Sequence, residues 1–251
     1  MSDFAVTRPV QRVELDAGAA LKEAWRLYRR LFVRSVVMGA VVLGAMNLIE
    51  ALAGRNATLL PFLALALSVA GIALLQGGLV EIVRGLHVDG DDDAALTEVL
   101  GRAGSRIWKL VSVSLLTALG VGVGFLLLVV PAFVLMTRWA VAVPVAMLEP
   151  GTARDAMRRS REIVRGNGWS VFKVLLAISL ITVVVEIPFA LVAAGSGPFG
   201  WWLATTIAAA LTAPYAAHAL TVVYYALVEP GRPVALEPGR RWQSAWDEED
   251  A

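Results

Sequence analysis

Apolar stretches long enough to cross a bilayer recur six times in this chain, over residues 35–53, 59–80, 110–130, 132–148, 174–194 and 199–228. A helix rises about 1.5 Å per residue, so about 20 apolar residues match a hydrocarbon core about 30 Å thick. Lipid offers the backbone no water, and a helix satisfies its own N–H and C=O groups. The expected fold is therefore all-α: a polytopic membrane protein with six transmembrane helices. Composition agrees, because only 17% of the residues are charged and 58% are hydrophobic, whereas a soluble domain carries about 25% charge. The fourth stretch is the shortest and holds Arg138 and Pro144.

The basic residues set the orientation. If every stretch crosses, all of the 22 lysines and arginines except Arg55 and Arg138 gather on one side. Cytoplasmic loops carry such an excess, so both termini are expected in the cytoplasm. Each pair of apolar stretches follows a basic segment with helical spacing. After Asp16, an N-cap, come Leu21, Trp25 and Tyr28. Next come Leu96, Val99, Leu100, Ala103 and Ile107. The third set is Ala153, Ala156, Met157, Ser160, Ile163 and Val164, opened by Thr152 and Asp155 as a capping box and stopped at Gly166-Asn167-Gly168. Such helices either lie in the interface or pack on their neighbours. Trp108 with Lys109, and Trp169 with Lys173, are interfacial anchors.

The pattern amounts to three hairpins, each preceded by a basic cytoplasmic amphipathic helix, in one domain over residues 16–231. Residues 1–15 are expected to be mobile and 232–251 to form a disordered tail. Ala51-Leu52-Ala53 resembles a signal-peptidase site, but a leader of that length is far beyond the usual 15–30 residues, so the first span is expected to stay uncleaved. The threefold plan is echoed by Leu148-Glu149-Pro150-Gly151 and Val228-Glu229-Pro230-Gly231, with Glu81 closing the second stretch. An acid at a helix C-terminus opposes the helix dipole. Glu81, Glu149 and Glu229 are therefore each expected to be held by an arginine of the following segment. Small residues at four-residue spacing, Ser114/Ala118/Gly122, Gly120/Gly124 and Ala204/Ala208/Thr212/Ala216, predict close helix packing, inside the monomer first and at a dimer contact as the alternative.

Chemistry is harder to find. The chain has no cysteine and two histidines, His87 and His218, and lacks phosphate-loop, nucleophile-elbow and dinucleotide motifs. Asp91-Asp92-Asp93 lacks the alternate spacing of a calcium loop and reads as a solvated turn. No catalytic residue, metal site or cofactor is expected, and no nucleic-acid partner. His218 reads as a hydrogen-bonded interior residue. Arg138 and Glu186 lie within apolar stretches, where ionisable groups are costly and tend to be paired or functional. Counted from the outer ends of their stretches they share a depth, so they are expected to pair. Arg158, Arg159, Arg161 and Arg165 are candidate contacts for anionic lipid.

The segment from Arg138-Trp139-Ala140 through Met147-Leu148-Glu149 to Asp155-Ala156-Met157-Arg158-Arg159-Ser160-Arg161-Glu162-Ile163-Val164-Arg165-Gly166-Asn167 resembles a bacterial family. It is similar to the membrane domain attached to some glycerophosphoryl diester phosphodiesterases and to related stand-alone multi-span proteins. The resemblance implies a six-helix module in a bacterial plasma membrane. It does not imply phosphodiesterase activity, which belongs to a separate soluble barrel. The expected role is a non-catalytic integral membrane protein that contacts membrane lipids or a membrane-protein partner. The alternative is a small transporter or lipid-translocating protein built on an Arg138–Glu186 layer.

Overall fold

The computed structural model describes residues 14–53, 60–89, 95–127 and 129–229. Arg55, the Asp91-Asp92-Asp93 turn, Pro230-Gly231, the N-terminal 1–13 and the tail lie outside the described residues, as do the side chains of 49–53, Glu50 among them. Among the described residues ten α-helices follow one another: α1 (Ala17–Arg30), α2 (Phe32–Ala53), α3 (Leu60–Arg84), α4 (Leu96–Ser105), α5 (Ile107–Leu127), α6 (Val129–Arg138), α7 (Ala142–Leu148), α8 (Ala153–Val164), α9 (Gly168–Ala194) and α10 (Pro198–Val228). A π-helical turn, Gly85–Asp89, prolongs α3. No strand occurs among the described residues.

The chain is a multi-pass membrane protein. Among the described residues five helical segments are long and apolar enough to cross: Ala66–Val88, Ile107–Leu126, Val130–Leu148, Gly168–Ala194 and Pro198–Val228. A sixth is reached if α1 and the start of α2, which meet at 79°, are taken together. Large apolar side chains stand exposed along α5 and α9, among them Leu119, Leu126, Leu180, Val184 and Leu191. Exposed apolar surface of this extent fits a lipid-facing wall, not a water-facing one.

Local chemistry sets the helix boundaries. Asp16 caps α1 by accepting from the amides of Gly18 and Ala19 at 2.8 and 3.2 Å. Thr152 and Asp155 form the reciprocal capping box of α8, and Gly151 and Gly166 flank that helix with φ of +113° and +95°, where a side chain would be strained. The fourth apolar stretch is broken. Pro144 has no N–H for the carbonyl of Ala140 and its ring crowds that carbonyl. The chain turns over 139–141, leaving α6 with 10 residues, about 15 Å of length, and α7 carries the same apolar segment on to Leu148.

The buried core lies at the basic end of the bundle. There Leu79 and Val83 of α3, Val99 and Ala103 of α4, Val145 and Ala146 of α7, Ile163 of α8 and Val222, Val223 and Leu227 of α10 are all almost fully buried. α10, at 31 residues, is about 46 Å long, more than a hydrocarbon core needs; its last turns are enclosed by protein. α1 lies across α10, burying Ala24, Leu27 and Tyr28, with the Tyr28 hydroxyl donating to the Leu211 carbonyl at 2.9 Å.

Small residues let helices approach, though not every predicted ridge is used. A Cβ on Gly124 would stand 2.9 Å from the Ala132 backbone, and Trp139 lies against Gly120. This is the α5–α6 contact. Ala204, Ala208 and Thr212 are buried as expected. The Ser114/Ala118/Gly122 ridge is not a packing seam, since Ala118 and Gly122 are exposed and nothing lies within 4 Å of Gly122. About half a turn of rotation separates the two ridges, and the α6 return selected the glycine pair.

Candidate functional site at the basic end

The three helix-end acids lie in this basic-end core, and each has a cationic or imidazole partner. Glu81 Oε1 accepts from Arg84 and from Arg102 of α4, both at 2.8 Å. Arg102 also pairs with Glu98. The hydrogen bond to Glu81, ahead of the charge of Glu98, holds the Arg102 guanidinium pKa above its ordinary value. Glu149 accepts from Arg159 Nε of α8 at 3.2 Å and from the Tyr224 hydroxyl at 3.0 Å. Glu229 lies 3.2 Å from Nε2 of the fully buried His87. The expectation of an arginine from the following segment thus describes Glu81 and Glu149. For Glu229 the partner among the described residues is a histidine from the end of α3, and the arginines of the segment that follows it lie outside the described residues.

Two of the acids, Glu149 and Glu229, are joined through one chain of contacts. Arg159 and Glu149 lead to Tyr224, which packs edge-on against Tyr225 at 5.3 Å. Tyr225 lies 4.0 Å from the His87 ring, which reaches Glu229. The α7 carbonyl end is closed from α5: Lys109 Nζ donates to the Glu149 carbonyl at 2.8 Å and Arg106 to that of Met147 at 2.7 Å. Cations at a helix C-terminus complement its dipole. Chemically, this chain of contacts ties α7, α8, α10 and the end of α3 together through hydrogen-bonded charge, while the Arg102–Glu81 pair separately ties α4 to α3. His218 sits elsewhere, in the α2–α10 contact, with Nε2 3.0 Å from Ser35 Oγ.

Arg138 and Glu186 are not brought together. Thr137 lies against Gly168, the first residue of α9, and Phe133 stacks edge-on with Phe172 at 5.9 Å. Glu186 is about 27 Å further along the same helix at about 1.5 Å per residue. The two residues do not share a depth, because the outer end of short α6 is not level with the outer end of α9. Glu186 Oε1 instead accepts from Thr212 Oγ1 at 3.0 Å. Arg138 is exposed at the break, its carbonyl accepting from Ser160 Oγ at 3.0 Å, and it makes no ion pair among the described residues.

The arginines of α8 divide by face. Arg154, Arg158, Arg161 and Arg165 recur at helical spacing and are all exposed. Arg158 bonds Asp155 at 3.0 Å. Hydrogen bonds from the backbone and then the hydroxyl of Thr152 hold the Asp155 carboxyl below its usual pKa. Arg159 does not belong to this face. Only 12% exposed, it turns inward to Glu149 and Glu162. The spacing alone could have removed Arg159 from the lipid-contact set and added Arg154. Tyr224 and His87 carried no local signal, because their partners lie on other helices.

This arrangement is what the resemblance has to fit. Residues 110–196 match the model of the membrane domain of glycerophosphoryl diester phosphodiesterase. The matched segment runs from α5 to the loop after α9. It contains the Arg138–Asn167 stretch that carries the resemblance, together with Glu149, Arg159 and the whole exposed face of α8. No curated protein and no solved structure matches the chain.

Proposed function

We propose that the chain is a non-catalytic module of a bacterial plasma membrane, with six spans in three hairpins and both termini in the cytoplasm. Its basic-end surface holds anionic lipid. One observation carries this reading: α8 directs Arg154, Arg158, Arg161 and Arg165 outward while its one inward arginine is consumed by Glu149. Exposed Trp25, Trp108 and Trp169 accompany the basic segments, as interfacial anchors do. Each basic residue near an anionic surface contributes about 1 kcal/mol, or about fivefold in affinity. The transporter alternative loses the ion-pair layer on which it was built, because Arg138 and Glu186 stand apart.

Two measurements test the proposal. The chain lacks cysteine, so single cysteines placed at Arg154 and at Ser196 report sidedness by labelling in intact cells. Arg154 is expected inside and Ser196 outside; the reverse would overturn the orientation. Second, the purified protein is analysed for lipids retained from a mixed phosphatidylglycerol and phosphatidylcholine bilayer. Enrichment of phosphatidylglycerol is expected, falling when Arg154, Arg158, Arg161 and Arg165 are all replaced by glutamine. Unchanged enrichment in that variant would refute the lipid role of this face.

A further inference from the structure

Arg138 poses a problem that the basic face of α8 does not. It lies within the apolar segment Val130–Leu148, is exposed, and has no carboxylate partner among the described residues. A cation at that position needs a counter-charge or a path to the headgroups. Its neighbourhood supplies cations and aromatic surface. The Ser160 bond to the Arg138 carbonyl docks α8 on the end of α6. Arg161 follows Ser160 directly, and Arg165 lies one turn beyond on the same exposed side. Neither has an ion-pair partner among the described residues. From this cluster an aromatic stripe runs outward along the α6–α9 seam: Trp169 stacks on Phe172 at 5.4 Å, and Phe172 meets Phe133 at 5.9 Å. Trp169 is 69% exposed and Phe133 41%, so both rings face outward. Because α6 is only 10 residues long, its tip stops far short of the α9–α10 turn, and the flank of α9 above it has no neighbour from α6.

We infer that the junction of α6, α8 and α9 is a site for one anionic glycerophospholipid. Its phosphate is held by Arg138, Arg161 and Arg165 and its acyl chains lie along Trp169, Phe172 and Phe133. The inference rests on the lipid reading above and sharpens it from a diffuse surface to a single bound molecule. Three reasons favour a lipid over a soluble phosphate. Guanidinium groups match phosphate oxygens. Arg138 ends α6 inside an apolar segment and not on a water-facing loop. The surface continuing from it is aromatic and apolar, which a diacyl chain covers and inorganic phosphate does not.

The test uses the full chain, delipidated in mild detergent and titrated with phosphatidylglycerol while native mass spectrometry resolves each bound lipid. One molecule is expected to bind more tightly than the rest and to survive high salt. Arg138→Gln should weaken that first molecule by about fivefold or more and leave the weaker, salt-sensitive binding intact. Arg154→Gln with Arg158→Gln should do the opposite, so failure of the site and failure of the basic face are distinguishable. If Arg138→Gln does not fold, Arg161→Gln with Arg165→Gln, and separately Phe133→Ala, take its place with the same expectation. The inference is overturned if phosphatidylcholine occupies the first site equally well. It is also overturned if inorganic phosphate displaces the lipid at matched concentration, or if none of these variants changes the first binding step.

Discussion

Replacing Arg159 by methionine probes the physics of the basic-end contacts most directly. Methionine retains much of the stem packing and removes the guanidinium. Glu149 is then left in a site where it is 16% exposed, with Tyr224 as its remaining side-chain donor. Breaking a fully buried pair by deleting one partner costs about 3–5 kcal/mol, most of it from the uncompensated charge. The partial exposure and the Lys109 ammonium at the Glu149 main chain lower the expected cost to about 2–3 kcal/mol. The non-trivial expectation concerns the second step. Replacing Glu149 by methionine as well removes the orphaned carboxylate, so the double variant should be at least about 1 kcal/mol more stable than Arg159→Met alone. Reversible unfolding in mixed dodecyl sulfate micelles, followed by circular dichroism, gives both free energies. If the double variant falls below wild type by the sum of the two single losses, Arg159 and Glu149 are not an interacting unit and do not staple these helices.

Three further outcomes follow from the packing. Gly124→Ala should weaken the α5–α6 contact by about 1–3 kcal/mol because the new methyl meets the Ala132 backbone, whereas Gly122→Ala, with open space around it, should lose nothing; the same unfolding assay compares them. Ser35→Ala should cost about 1–3 kcal/mol by stranding the buried Nε2 of His218, and a loss under about 0.3 kcal/mol would show that the bond is not made. Asp155 has a folded pKa below its unfolded value. Its contribution is therefore present above the unfolded carboxylate pKa and is lost as pH falls through the lower folded one. Wild type should accordingly exceed Asp155→Asn in stability at neutral pH, with the gap closing under acid titration; a gap that widens on acidification contradicts the assignment.

Much of the architecture was written locally. Apolar length gave the membrane-crossing helices, and Asp16 and the Thr152–Asp155 box gave two helix starts, because hydropathy and capping act within one or two turns. The same locality explains why Glu81 and Glu149 could be foreseen as acids needing a cation: the helix dipole poses the problem before any tertiary contact forms. What local reasoning could not supply is relative depth. Arg138 and Glu186 were aligned by counting from the ends of their own stretches, and that count assumes every hairpin reaches equally far. Only the packed bundle, with Phe133 against Phe172 and Thr137 against Gly168, sets how far α6 reaches along α9. It separates the two charges, hands Glu149 to Tyr224 and Glu229 to His87, and turns Arg159 inward from a helix whose other arginines face out. Side chains on different helices share no sequence distance that could announce their contact. Hydropathy and capping decide which segments become helices and where they begin, while register between helices is decided by which side chains fit when those helices meet.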